Sequence, residues 1–153
     1  MNTNLETKKA LYQQCMEFVD TRLNTVQKAI REVHESLSSE TKSTAGDKHE
    51  TGRAMLQLDR EKLGQQLAGI QNLKQGLRKI NIETTSNKVG LGSLVYTSQH
   101  HYFISISAGE LLYNNDKFYA ISFSTPIAKA LLAKQVGDSI QFRNSTFAIT
   151  KIT

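Results

Sequence analysis

The chain has 153 residues, 39% of them hydrophobic, and its 19 basic side chains exceed 14 acidic ones for a net charge of +5. This length allows one domain or two small ones. The basic excess is spread along the chain, whereas direct nucleic-acid binding usually shows as a dense basic stripe, so charge alone argues against that role.

The chain carries one cysteine, Cys15, which excludes an internal disulfide and fits a reducing cytoplasm. No apolar run approaches the roughly 20 residues that a membrane-spanning helix needs. The first residues lack the apolar segment of a signal peptide. We therefore expect a soluble, cytoplasmic protein with no membrane partner.

A heptad pattern predicts a long first helix, from about residue 5 to residue 42. Its apolar residues alternate in steps of four and three, and the residues between them are polar. The seam comprises Tyr12, Met16, Val19, Leu23, Val26, Ile30, Val33 and Leu37. Such a narrow stripe is typical of a two-helix coiled coil rather than of a core helix. Cys15 lies beside the seam and is interpreted as a small buried residue.

A second helical pattern follows, with apolar residues that recur every seven positions. Its members are Leu56, Leu63, Ile70 and Leu77, with Leu67, Leu73 and Ile80 beside them. Three glycines, Gly64, Gly69 and Gly76, weaken the helix prediction. They are open to two interpretations, a close approach of the two helices or a softer hairpin.

A short polar segment joins the two patterns and predicts an antiparallel hairpin with its tip near residues 43–50. Asp47 is a good N-cap for the second helix, and Glu50 follows three positions later, as in a capping box. Residues three apart share one helix face, about 5–6 Å between their Cβ atoms, so the same two carboxylates are also placed to share a divalent cation. Capping and metal binding both stay open at this point.

Beyond a plausible linker at residues 83–88, the apolar period changes from about 3.5 to about 2, which predicts a small β-rich domain over residues 89–153. Ser124 or Thr125 is expected to cap a single helix over Ile127–Lys134, with Pro126 in its first turn. His100 and His101 are expected in a hairpin turn, with no metal site. The predicted strands are Leu94–Tyr96, His101–Ile106, Leu111–Tyr113, Phe118–Ile121, Ser139–Phe142 and Phe147–Ile152. The fold class is therefore α+β, with a coiled-coil hairpin over residues 1–82.

Two stretches resemble Gre-type transcript cleavage factors, which are transcription elongation factors. The run from Ile121 to Asp138 is similar to the signature of their C-terminal domain, with Thr125 in place of Ser and Ala128 and Ala133 in place of Gly. The family's tip reads Gly-Asp-x-x-Glu-Asn, and here Gly46 to Thr51 keeps both acids at the same spacing. Thr51 replaces the Asn, and residues 52–55 differ from the family's usual continuation.

The resemblance implies an FKBP-like second domain that docks on the rim of the RNA polymerase secondary channel while the hairpin enters toward the catalytic magnesium. It implies that Asp47 and Glu50 are the catalytic and metal-binding residues. They would lend ligands to Mg²⁺ shared with the polymerase, so that the chain alone is not an enzyme. The expected partners are RNA polymerase and, indirectly, nascent RNA, and the protein is expected to be a monomer. The candidate docking residues are Ser124, Thr125, Pro126 and Ile127.

Two rival hypotheses remain. A Gre-like protein with an altered tip would occupy the channel and modulate or inhibit polymerase without cleavage, and basic neighbours of the acid pair (Lys42, Lys48 and Arg53) favour this alternative. His49, between the acids, is interpreted as an exposed tip residue. The FKBP-like fold also suggests a prolyl isomerase, a weaker hypothesis because fold does not fix function and the chain has no Trp.

Overall fold

The computed structural model describes residues 3–42 and 46–153, and of residues 40–42 and 46–49 only the backbone is described. The described part contains three helices and six strands. The helices are α1 (Thr3–Lys42), α2 (Gly46–Arg78) and α3 (Pro126–Leu131). The strands are β1 (Leu94–Thr97), β2 (His101–Ile104), β3 (Gly109–Tyr113), β4 (Asp116–Ile121), β5 (Ser139–Phe142) and β6 (Ser145–Ile152). The predicted α+β class, with a helical hairpin before a sheet domain, is confirmed.

Contacts divide the chain into two compact units, which we call the arm and the base. The arm is Val19–Lys74, and the base combines the chain up to Phe18 with Gln75–Thr153. The base thus contains the start of α1 and the end of α2 as well as the whole sheet. The boundaries predicted from the sequence, at residues 82 and 89, stay a prediction.

The arm is a pair of antiparallel helices held by a narrow apolar seam. Asp20 on α1 lies 3.4 Å from the Lys74 amine on α2. Val19, Val26 and Ile70 are buried in the seam. The other predicted seam positions in the arm, including Leu23, Leu56 and Leu63, are half-buried, and most residues between them are exposed. The heptad prediction for both helices is therefore confirmed.

The glycines of α2 in the arm do not serve a close approach between helices. A Cβ added at Gly64 or Gly69 would meet no atom within 4 Å. Both positions are therefore open, and the first of the two interpretations of these glycines, a close approach of the two helices, is wrong.

None of the described helices has an apolar stretch of the length and hydropathy that a membrane span requires.

The base is built on one six-stranded sheet with strand order β3-β4-β2-β1-β6-β5. β2 and β4 run parallel, and every other neighbouring pair is antiparallel. Asn114 and Asn115, both with positive φ, form the two-residue turn between β3 and β4. All six predicted strands are present. His101 pairs with Tyr96 within the sheet, as the predicted strand from His101 to Ile106 requires, so the competing prediction that His101 lies in a turn is wrong.

One face of the sheet packs against α3 and forms the main core. Ala128 and Leu131 of α3 are buried there. The strands contribute Val95, Tyr102, Ile104, Ile121, Ile140, Phe147 and Ile149. α3 ends at Leu131, three residues before the predicted end, because Leu132 takes an extended ψ of 133° and Ala133 has a φ of 64°.

The first turns of α1 are fixed to the sheet by a second stripe of residues. Leu11 and Cys15 are completely buried although neither belongs to the predicted seam. The Cys15 thiol lies 3.7 Å from the Ser105 hydroxyl. Gln14 donates to the Leu112 carbonyl and accepts from the Leu112 amide, in the manner of a strand partner. In the base, α1 therefore carries a fully buried stripe beside the half-buried seam positions Tyr12 and Met16.

Candidate functional site

The two predicted catalytic acids lie at the start of α2. The helix begins at Gly46, so Asp47 lies within its first turn and the prediction that it precedes the helix as N-cap is wrong. Glu50 is exposed on the next turn, and the Asp47 side chain lies outside the described residues. Acidic residues in a first turn interact favourably with the helix dipole, which gives local support to a helix that begins with this sequence. The structure thus leaves Glu50 accessible to a ligand.

The surroundings of the acid pair are only partly described. Arg53 is exposed, as is Thr51, whereas the side chains of Lys42, Lys48 and His49 lie outside the described residues. Groups of three or more His, Cys, Asp or Glu side chains suited to a metal are not found among the described residues. The side chains of residues 40–49 lie outside this description, and the roles of Asp47 and Glu50 stay predictions.

Exposed apolar side chains continue along α2 from the acid pair. Met55 is 65% exposed and Leu58 is 51% exposed. Sequence reasoning missed both, although their signal was present: they are apolar residues out of phase with the seam of Leu56 and Leu63. An apolar side chain on the outer face of a two-helix arm has no core to enter, so the two residues are available for contact with a partner.

The candidate docking residues surround the start of α3, and the structure separates them into two kinds. Thr125 is the N-cap: its hydroxyl accepts from the Ala128 amide at 3.3 Å and donates to the Ser122 carbonyl at 2.8 Å. Ile127 packs against the core and is half-buried. Both therefore have a structural role that accounts for their place in the signature.

Ser124 and Pro126 are the exposed members of that set. The Ser124 hydroxyl lies 2.7 Å from the Ser122 hydroxyl, and Ser122 in turn accepts from Ser107 at 3.4 Å. The exposed part of the candidate docking site thus consists of the polar Ser124 and the apolar ring of Pro126. Its use in docking stays a prediction.

A second exposed feature of the base follows α3 directly. Leu132 is 45% exposed and Val136 is 57% exposed. The segment is fixed by the Ala133 amide, which donates to the Val89 carbonyl, and by the Val89 amide, which donates to the Lys134 carbonyl. Sequence reasoning had assigned Leu132 to the helix, so its exposure was not foreseen.

The Cys15 thiol is buried, and His100 and His101 each pack against aromatic rings. Burial raises the pKa of the Cys15 thiol to about 11, so the thiolate nucleophile is scarce at neutral pH. The His101 ring lies between Tyr96 and Phe118, with ring centres 4.8 and 5.7 Å away. His100 meets Tyr119 edge to face. These rings pack with aromatic neighbours, and the expectation that no metal site forms there stays a prediction.

The sequence matches no protein-family model and no curated protein. Among solved structures it is similar to the transcription factor Gfh1, at 21% identity over 94% of this chain and 94% of that chain, with a TM-score of 0.35. A likeness this distant carries no weight for function, and the function proposed below does not rest on it.

Proposed function

We propose that this protein is a Gre-like transcription elongation factor that binds RNA polymerase, inserts the hairpin tip into the secondary channel and stimulates cleavage of backtracked RNA. The observation that carries the proposal is the acidic pair Asp47 and Glu50, three residues apart at the start of the second helix of a long hairpin. The similarity between Ile121–Asp138 and the Gre signature supports it, as does the order of hairpin and sheet domain.

The donor set suits a hard divalent cation that is shared with another protein. Carboxylate oxygens are the ligands that Mg²⁺ prefers, but this cation demands six ligands and keeps several waters, so Asp47 and Glu50 alone would hold it weakly. Acids of the polymerase and a phosphate of the RNA would supply the remaining ligands. When bound, Mg²⁺ lowers the pKa of a coordinated water and thereby supplies the attacking hydroxide.

The role of this chain is to orient the reacting groups and to supply negative charge. Glu50 is exposed on a rigid helix, which positions a carboxylate more reproducibly than a loop would. Asp47 and Glu50 would stabilise positive charge in the polymerase active site and, as hydrogen-bond acceptors, orient a water near the scissile phosphate. The chain would therefore act as an accessory factor and not as an enzyme by itself.

A second candidate function is occupation of the channel without cleavage. The exposed apolar residues Met55 and Leu58 favour it, because they would contact the channel wall independently of the acids. Exposed Arg53 favours it as well, since a guanidinium close to the acid pair would compete with a cation for the carboxylates. With this function, the protein would bind polymerase and exclude other channel-binding factors.

The decisive experiment measures RNA cleavage in a stalled, backtracked elongation complex with polymerase from the same organism. The native protein is compared with Asp47→Ala/Glu50→Ala. The matched control is Asp59→Ala/Glu61→Ala, which removes the same charge from exposed positions farther along α2. We expect the tip variant to lose cleavage by about a hundredfold, the scale on which removal of a single transition-state-stabilising group acts, while the control variant retains it.

The other outcomes separate the alternatives. Absence of cleavage by the native protein, together with displacement of a known cleavage factor, would establish the channel-occupying function. Absence of both binding and cleavage would overturn the polymerase hypothesis. Equal cleavage by the tip variant and the native protein would overturn the role of the acids.

A further inference from the structure

The base contains a cavity that none of the roles above uses. Its volume is about 260 Å³. It is lined by the first turns of α1, by the segment that follows α2 and by the end of β6. The lining residues are Asn4, Leu5, Lys8, Ile82, Glu83, Thr85, Ile152 and Thr153. All of them belong to the base, so the cavity lies within one compact unit.

A buried cation is the first notable feature of this cavity. Lys8 is only 2% exposed, although lysine is almost never fully buried without a partner. Its amine donates to the Thr84 carbonyl at 3.2 Å. Among the described residues, no carboxylate lies within 4 Å of it. An ammonium group has three N–H donors, so its charge and part of its donor capacity are available to a ligand.

An orphaned hydroxyl is the second feature, and it is independent of the first. Thr153 is 6% exposed, and its Oγ1 is buried without a hydrogen-bond partner in the described structure. The backbone of Thr153 is fixed, because its N–H and C=O both pair with Leu94. A buried hydroxyl without a partner is costly. A ligand that accepts a hydrogen bond would remove that cost.

The remaining polar groups of the cavity also set the charge of its ligand. The Asn4 Oδ1 accepts from the Lys151 amine at 2.8 Å, which leaves the amide N–H₂ group as the donor end of this side chain. Asn4 thus adds donors to those of Lys8. Glu83 is the one acidic residue in the lining, and it is exposed, so solvent screens its charge more than that of Lys8.

We propose that this cavity binds a small oxyanion, phosphate or carboxylate, through the Lys8 amine, the Thr153 hydroxyl and the Asn4 amide. The cavity has room for such an ion and accompanying water. Burial lowers the pKa of the Lys8 amine by desolvation, and a bound anion would oppose that effect. The ligand would connect α1, the segment after α2 and the end of β6. This inference does not depend on the polymerase proposal.

The test is titration of the full chain with inorganic phosphate, and separately with sodium acetate, at constant ionic strength set with chloride. Amide NMR signals of Thr84, Thr85 and Thr153 report binding. We expect saturable shifts with at least one of the two anions, phosphate or acetate, and the anion that produces them identifies the preferred class. Absence of saturable shifts with both anions would overturn the proposal.

Four variants make the test specific. Lys8→Met keeps the apolar stem and should weaken binding about tenfold or more, since hydrogen bonds to charged groups are the strong ones. Lys9→Met, at an exposed neighbouring position, is the matched control and should bind as the native protein does. Thr153→Val should weaken binding about threefold. Glu83→Gln should tighten it about twofold, because it removes an exposed like charge.

Binding that is unchanged in Lys8→Met would overturn the proposal, since shifts would then arise elsewhere. If Lys8→Met does not fold, Thr153→Val and Glu83→Gln decide the matter. Weakening in the first together with tightening in the second supports the site, and identical affinity in both variants and the native protein overturns it.

Discussion

The base and the arm are each stabilised by a different kind of packing. In the base, a six-stranded sheet packs α3 on one face, and Leu11, Leu77 and Phe103 are completely inaccessible to solvent. In the arm, Val19, Val26 and Ile70 are the described residues that are buried, and only Val19 is completely inaccessible. The remaining seam is half-buried, and the outer surface is mostly polar apart from exposed Met55 and Leu58. An architecture of this kind leaves the arm's surface unconstrained by folding, so residues on it can be selected for contact with a partner.

The sharpest way to test this comparison is to remove one large side chain from each unit. Phe103→Ala in β2 should lower the free energy of unfolding by about 3–5 kcal/mol, the usual cost for a fully buried aromatic ring. Leu63→Ala in the arm should cost about 1–2 kcal/mol, because part of this side chain is already in contact with water. Chemical denaturation of both variants measures the difference, and equal costs would refute the contrast.

Burial in the base should also make the free energy of unfolding change with pH through the Cys15 thiol. Burial raises the pKa of the thiol from 9.0 to about 11, so the folded state favours the protonated form. The contribution of the buried thiol to the free energy of unfolding is fully present below pH 9 and is lost as the pH rises toward 11. The loss amounts to on the order of 2 kcal/mol.

The measurement compares the free energy of unfolding of the native protein and Cys15→Ala at pH 8 and pH 10.5. The native protein should lose more stability than the variant over this interval. An identical pH dependence in the two proteins would mean that the thiol is not desolvated in the folded state.

The start of α3 offers a smaller effect that separates folding from docking. Thr125→Ala removes the cap of the helix and should cost about 1 kcal/mol, whereas Thr125→Ser keeps the hydroxyl and should cost less. Ser124→Ala should leave stability nearly unchanged, because Ser124 is exposed. Thermal unfolding checks all three variants. If Ser124→Ala destabilises as much as Thr125→Ala, the division of this motif into a structural half and an exposed half is incorrect.

The smallest expected effect belongs to the ion pair in the arm. Lys74→Met breaks the contact with Asp20, a partly exposed pair with an N–O distance of 3.4 Å. Such pairs contribute roughly 0.2–1 kcal/mol, and less at high salt. Denaturation at two salt concentrations tests this, and a loss above 2 kcal/mol would show that the arm depends on electrostatics rather than on its seam.

Much of the fold could be predicted because periodicity is a local property of the sequence. The unbroken heptads of α1 and α2 and the Asn114-Asn115 turn carry their geometry in adjacent residues. The predicted burial of Cys15 is confirmed, whereas the burial of Leu11 was missed, because only the sheet creates a second buried face for the start of α1. The early end of α3 was also missed. It follows from the left-handed backbone of Ala133, a conformation that the sequence does not indicate at an alanine.

The candidate site was predictable to a lesser degree. The spacing of Asp47 and Glu50 predicted a shared helix face, and the helix that carries them begins at Gly46 rather than after Asp47. The exposure of Met55 and Leu58 followed from their phase and was overlooked. The cavity at Lys8 was beyond sequence reasoning, because it brings together residues 4–8, 82–85 and 152–153.

The central claim, that the tip enters a polymerase beside its catalytic magnesium, can be tested with a tethered cleavage reagent. Because Cys15 is buried and its pKa is raised, a cysteine introduced at exposed Arg53 will be labelled selectively. An iron chelate at Arg53→Cys should cut the polymerase chain next to its catalytic aspartates. The same chelate at Arg60→Cys, farther along α2, should cut a different segment. Cuts that are the same from both positions, or none above the unlabelled protein, would contradict the account.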